Sequence, residues 1–265
     1  MASAPASCPL LPRSLIGVTR PDTLLFALQR SDAARPRITC YDDTDGPTKG
    51  ERIELSARVL SNWVAKAANA LQEDYDVEPG SRVLLALPPH WRTAYWALAT
   101  WAVGGCVVLD AAEEADVCIS DDPAVLDDFV RRSGAGAAAV LVTLAALARR
   151  ADGSVSDGVM DEAAQLATYA DQFEPWAEAD DEDPALVVDG ESVSYGALVE
   201  WAGSDQAAPV DANARAHIST YDTALFLKVL LSTWAGDGSV VLSRGEPGAE
   251  ALAGRLATEG VTHTL

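Results

Sequence analysis

Apolar residues recur along this chain with two alternating periods. Residues 20–31, RPDTLLFALQRS, repeat them at helical spacing beside Asp22, whose carboxylate is placed to accept from free N-terminal amides, and predict a first helix. The stretch RITCYDDTDGPTKGERIEL that follows has two short extended runs around Asp, Gly, Pro and Lys, which predicts a hairpin with a flexible turn. Ser56 then caps SARVLSNWVAKAANALQEDY, a long amphipathic pattern with Val59, Leu60, Trp63, Val64, Ala67 and Leu71 on one face.

Beyond Pro79-Gly80 the pattern becomes strictly alternating in kind. RVLLALP reads as a buried strand, HWRTAYWALATWAVGG as a helix closed by Gly104-Gly105, and CVVLDA as another buried strand, a βαβ unit whose crossover makes the strands parallel. ADVCISD, AVLDDFVRRSGAG and AAVLVTL continue as strand, helix and strand. Residues 149–183 are polar, with acidic runs around a possible helix at EAAQLATYADQ, and read as a solvated linker between sub-lobes 20–148 and 184–265 of one domain. ALVVDGESVSYGALVEW, residues 185–201, is an apolar run, a tight turn at Asp189-Gly190, a second extended run and the start of a helix. A polar break, SDQAAPVDANAR, precedes a long apolar helix at YDTALFLKVLLSTWAGDG, a strand at SVVLSR, a helix at GAEALAGRLATEG and a strand at VTHTL. This order predicts an α/β fold, doubly wound, with mainly parallel sheets and flanking helices.

The length of 265 residues allows burial of roughly three quarters of the unfolded chain's surface, so the core needs no disulfide or metal. Nineteen basic against forty acidic residues give a net charge of −21, which repels phosphate backbones and anionic head groups and argues against nucleic-acid or membrane partners. Cys8, Cys40, Cys106 and Cys118 form no C-x-x-C pair and no metal-ligand cluster with His90, His217 and His263, and fit a reducing cytosol. No window reaches about 18 unbroken apolar residues.

Most chemical motifs fail on context. Gly134 to Ala139 fits the dinucleotide pattern G-x-G-x-x-[GA], but these residues close a helix and precede a strand, whereas pyrophosphate binding needs glycines that open one. P-loop, nucleophile-elbow and H-E-x-x-H motifs are missing. His90 and Trp91, in Pro88-Pro89-His90-Trp91, stand where a strand hands over to a helix, and Asp110 ends the next strand at the same sheet edge, where α/β proteins bind ligands. Each also has a plain packing or capping role open to it, as do Trp63, Trp96 and Trp101.

ERIELSARVLSNWVAKAANAL followed by EPGSRVLLALPPHWRTAYWALATWAVGGCVVLDA resembles the opening of the large domain of adenylate-forming enzymes, the superfamily of acyl-CoA synthetases, peptide-synthetase adenylation domains and luciferases. The match spans roughly residues 25–145, and residues 226–265 resemble a later phrase of the same domain. The whole looks like a short actinobacterial family with distant similarity to AMP-binding enzymes. The resemblance implies a Ser/Thr/Gly-rich phosphate loop ending in Pro-Lys-Gly just after EDPALVV, where this chain carries Asp189, Gly190, Glu191 and Ser192 instead. The sequence also ends before the resemblance's ribose-binding aspartate and catalytic lysine. No catalytic residue, metal or cofactor is therefore expected, with ATP or AMP binding secondary. The expected role is a cytoplasmic binding or regulatory module, a degenerate relative of the enzymes, for a protein partner, a small ligand or further copies of itself. The alternative is a reduced or partner-completed enzyme handling acyl-adenylates or acyl-thioesters.

Overall fold

A computed structural model describes residues 20–134, 137–203 and 211–265. Cys8 and the N-terminal segment, Ala135 and Gly136 of the glycine motif, and residues 204–210 of the polar break lie outside the described residues. In chain order the elements are α1 (Pro21–Asp32), β1 (Pro36–Asp42), β2 (Arg52–Ser56), α2 (Ala57–Tyr75), β3 (Arg82–Ala86), α3 (Trp91–Ala102), β4 (Cys106–Val108), β5 (Val117–Ser120) and α4 (Pro123–Ser133). They continue with β6 (Ala138–Leu141), β7 (Val159–Asp161), α5 (Glu162–Gln165), β8 (Pro184–Val188), β9 (Glu191–Ser194), α6 (Leu198–Gly203), β10 (Arg215–Ile218), α7 (Thr223–Ala235), β11 (Ser239–Arg244), α8 (Ala249–Thr258) and β12 (His263–Thr264).

Among the described residues the strands form two sheets, ordered β12-β10-β11-β1-β2 and β7-β6-β5-β3-β4-β8-β9. Neighbours are parallel except in the hairpins β1/β2 and β8/β9. The fold is α/β with mainly parallel sheets, and each sheet draws strands from both before and after residues 149–183.

Strand residues alternate between faces, and both faces of the seven-stranded sheet are apolar. Val83, Leu85, Val107, Ile119 and Val140 enter the main core between the sheets. Their neighbours Leu84, Cys106, Val108, Cys118 and Leu141 form a second core with Leu126 and Phe129 of α4. The main core is filled from α1, α2, α3 and α7. Leu60, Val64, Ala67 and Leu71 of α2 are buried there, whereas Val59, a hundred degrees round from Leu60, is 41% exposed.

The five-stranded sheet behaves differently on its outer face. Its inward Ile38, Cys40, Val240 and Leu242 join the core, but Thr39, Tyr41, His217 and Ser243 lie outward beneath α8, which has no buried residue. That helix is held by polar contacts. Glu259, just after it, accepts from Tyr41 Oη at 2.6 Å and Arg52 Nε at 2.9 Å and pairs with Arg215, while Arg255 donates to Ser243 Oγ at 2.8 Å.

Two local expectations change. Asp22 does not cap α1: it sits inside the first turn, behind Pro21, and its carboxylate accepts from Arg20 Nε at 3.1 Å. The helix read from EAAQLATYADQ stops at Gln165 and gives way to a 3-10 turn at Leu166–Thr168. The chain beyond it is tied to α2 instead: Lys66 Nζ donates to Ala167 O and Tyr169 O, and Asn69 Nδ2 to Ala170 O and Gln172 O. Residues 149–183 also supply the edge strand β7 and the buried Glu162.

Tyr195 fixes the chain after β9 to the seven-stranded sheet. Fully buried, its hydroxyl lies 2.8 Å from Gly105 O and 3.2 Å from Trp101 O, across the turn from α3 to β4. Tyr195→Phe leaves these buried carbonyls without that donor and is expected to cost about 1–2 kcal/mol. A urea titration should show a lower midpoint with an unchanged slope.

Candidate functional site

The strand ends of the seven-stranded sheet place the candidate residues. β3 runs into Leu87-Pro88-Pro89-His90, and His90 becomes the N-cap of α3, its Nδ1 accepting from the Arg92 backbone N–H at 3.3 Å. The imidazole is 2% exposed. Burial, reinforced by Arg244 and Arg92, holds its pKa well below the usual histidine range, so the ring is neutral at pH 7. Trp91 is also buried, its ring 5.5 Å from His90, 5.7 Å from Tyr95 and 6.3 Å from Trp63, with the Arg92 guanidinium 4.4 Å from its centroid.

Arg92 lies inside the core, where an unpaired guanidinium would be severely destabilising. It donates to Glu162 Oε1 at 2.6 Å, a carboxylate only 1% exposed, and to Ala145 O at 3.1 Å. Tyr95 Oη also binds Glu162 Oε1. This ion pair joins α3 to α5.

Asp110 follows β4 at the surface, its Oδ1 accepting from Ala112 N at 2.8 Å. Across the strand ends, β8 turns back into β9 through Asp189 and Gly190 alone, at φ 52° and 75°. Two successive residues at positive φ are what a type I′ two-residue hairpin turn requires, and Asp-Gly supplies them at low cost. Asp222 caps α7, accepting from Ala224 N at 2.8 Å and Leu225 N at 3.2 Å, while Thr223 Oγ1 donates to Leu87 O at 2.8 Å and fixes that helix end beside β3.

Asp110, Asp189 and Asp222 thereby line one cleft of about 420 Å³, floored by Leu85 and Leu109 and flanked by Tyr221, which is 75% exposed. Glu191 lines an adjoining depression with Trp201 and Lys228, whose Nζ lies 4.8 Å from the indole centroid. Ser192 pairs with Val187 in the hairpin. The structure thus joins Asp110 to the Asp189-Gly190 turn, while His90 and Trp91 lie in the core and do not line that cleft. Sequence reading missed Tyr221 and Asp222; an aspartate directly before an apolar helix was the available signal.

No family model matches the chain. A protein of Mycobacterium tuberculosis (strain ATCC 25618 / H37Rv), described as a TIGR03089 family protein, is 34% identical over 256 residues, covering 94% of this chain and 100% of its own length. The chain belongs to the TIGR03089 family. Its fold is also that of adenylate-forming enzymes. An acyl-CoA synthetase of Brucella canis matches with a TM-score of 0.68 at 15% identity, over 92% of this chain and 46% of its own. The amide bond synthetase McbA of Marinactinospora thermotolerans matches at 0.63 and 18%, over 92% and 48%. An artificially fused adenylation-PCP di-domain, NpsA-ThdA of Klebsiella oxytoca, matches at 0.63 and 15%, over 92% and 42%. This family member spans about half the length of those chains or less. Among its described residues no helix is long and apolar enough to cross a membrane, and no cluster of His, Cys, Asp and Glu has the makings of a metal site.

The buried histidines make stability depend on pH. His217 is buried like His90, its Nε2 3.0 Å from Ser243 Oγ, and burial beside Arg255 lowers its pKa. Between each depressed folded value and the unfolded value of about 6.5, the unfolded chain holds the extra proton, so stability falls on acidification, by at most about 1.4 kcal/mol per pH unit per histidine. Urea midpoints measured from pH 7.5 to 5.5 should fall less steeply in His90→Asn, which keeps a capping side chain, than in the native chain. Equal slopes would show that His90 is not held neutral.

Proposed function

We propose that this chain is a non-catalytic relative of the adenylate-forming enzymes, working as a binding or regulatory module. The observation that carries this reading is the acidic cleft. Where the resemblance places a phosphate loop after β8, the chain turns in two residues, and Asp189 joins Asp110 and Asp222 in a lining without a basic side chain. A nucleoside triphosphate would meet three carboxylates there, with like-charge repulsion strengthened by the low-dielectric walls of a cleft. The α7 amides that an anion would use are also occupied, by Asp222 itself.

The net charge of −21 adds to this repulsion over the whole surface. The parallel sheets, with the loops at their strand ends, supply a rigid frame for recognition without chemistry, in keeping with the rule that function resides in sites grafted onto folds.

Thermal unfolding with millimolar ATP and Mg²⁺, and separately with AMP, tests the reading. A ligand at about a hundred times its dissociation constant adds about 2.7 kcal/mol and raises the midpoint by several degrees. No rise is expected with either nucleotide. A rise with either ATP or AMP would place nucleotide in this chain despite the cleft and overturn the proposal.

A further inference from the structure

A second cleft lies at the carboxyl ends of strands from both sheets. In the seven-stranded sheet, β3 and β5 are neighbours whose following helices diverge: α3 packs into the main core, whereas Leu126 and Phe129 of α4 pack on the opposite face. That divergence is a topological switch point, the place where open α/β sheets leave a crevice for ligands. On one side of it a cleft of about 440 Å³ opens, of a size suited to a small molecule. It takes Asp121 from just beyond β5, Leu141 from the last position of β6 with Val142 after it, Thr44 from beyond β1 and Arg244 from the last position of β11.

The lining divides by polarity. Leu141 and Val142 are buried, and Leu144 and Ala148 continue an apolar wall. The polar groups are largely committed. Arg244 pairs with the buried Asp42, which also accepts from Thr44 N at 2.9 Å, and Asp45 pairs with Lys49 at 2.6 Å. Among the described residues neither Asp121 nor Asp152 has an ion-pair partner of this kind, but Asp152 is exposed, whereas Asp121 is half-buried, its carboxylate met by its own backbone N–H with the Arg244 guanidinium near enough to act on it. Burial raises its pKa, with Arg244 opposing the rise only in part. An acceptor so placed, beside an apolar wall and without a side-chain donor, is complementary to an ammonium group carried on a hydrocarbon body.

We propose that this cleft binds small apolar primary amines, the ammonium donating to the Asp121 carboxylate and the hydrocarbon lying against Leu141, Val142 and Leu144. It identifies a ligand class for the binding role proposed above and rests on that reading, but uses a different cleft. An aliphatic carboxylate of the same length meets Asp121 as a like charge and binds more weakly, Arg244 being already paired with Asp42.

The test titrates the purified chain with hexylamine, hexan-1-ol and hexanoate by calorimetry, using the native protein, Asp121→Asn and Ala148→Phe. Hexylamine should bind saturably and hexanoate at least about tenfold more weakly. Asp121→Asn should weaken hexylamine by about tenfold or more while leaving hexan-1-ol unchanged, and Ala148→Phe, which fills the cleft from its wall, should abolish both. Circular dichroism confirms folding of each variant; if Asp121→Asn does not fold, the three-ligand comparison and Ala148→Phe still decide. Equal binding of amine, alcohol and carboxylate, an unchanged amine affinity in Asp121→Asn, amine binding that survives Ala148→Phe, or no saturable amine binding would each overturn the proposal. Because no nucleotide is involved, failure here leaves the reading of the acidic cleft standing, and a nucleotide-induced thermal shift would remove that reading without touching this result.

Discussion

The architecture depends on α3. Every residue of this helix except Ala102 is buried, because it packs on β3 and β4 of one sheet and reaches β1 of the other. A helix enclosed on all sides must be apolar around its whole circumference, and Trp91, Tyr95, Trp96, Leu98 and Trp101 meet that demand. Arg92 does not. Its charge has to be matched inside the core, and the match comes from Glu162, seventy residues away in a largely acidic segment. The ion pair is thus less a source of net stability than a condition of register: removing one partner strands the other in the core.

With α3 in place, the ends of β3, β4 and β8 come to one edge, and His90 caps α3 there instead of projecting outward. The chemistry of that edge is set by turn geometry. The Asp189-Gly190 turn, Asp110 at the end of β4 and Asp222 at the start of α7 are each satisfied by local backbone demands. Their convergence makes an acidic cleft out of three ordinary structural roles. The second cleft differs because Asp121 has no such local employment beyond its own N–H.

The legible parts of the sequence were those governed by short-range rules. Alternation of period, the Ser56 cap, the glycine stop at Gly104 and the Asp189-Gly190 hairpin all depend on residues a few positions apart, and the structure reproduces them. Asp110 was legible as a strand-end residue, but its partner Asp222 stands more than a hundred residues later and looks like any helix cap. His90 and Trp91 occupy the edge that the pattern indicated, yet their burial depends on α2 and the five-stranded sheet closing over them. Asp121 and Arg244 share a cleft only because two separate sheets end together, a relation that no local spacing encodes.

The central claim is that this chain keeps the frame of an adenylate-forming domain while its strand-end cleft rejects the nucleotide. Exchange of labelled pyrophosphate into ATP, assayed with the purified chain and a broad panel of carboxylic acids, tests it most directly. The account predicts exchange no greater than in the protein-free control for every acid. Exchange above that background with any one of them, from protein repurified to constant specific activity, would contradict it.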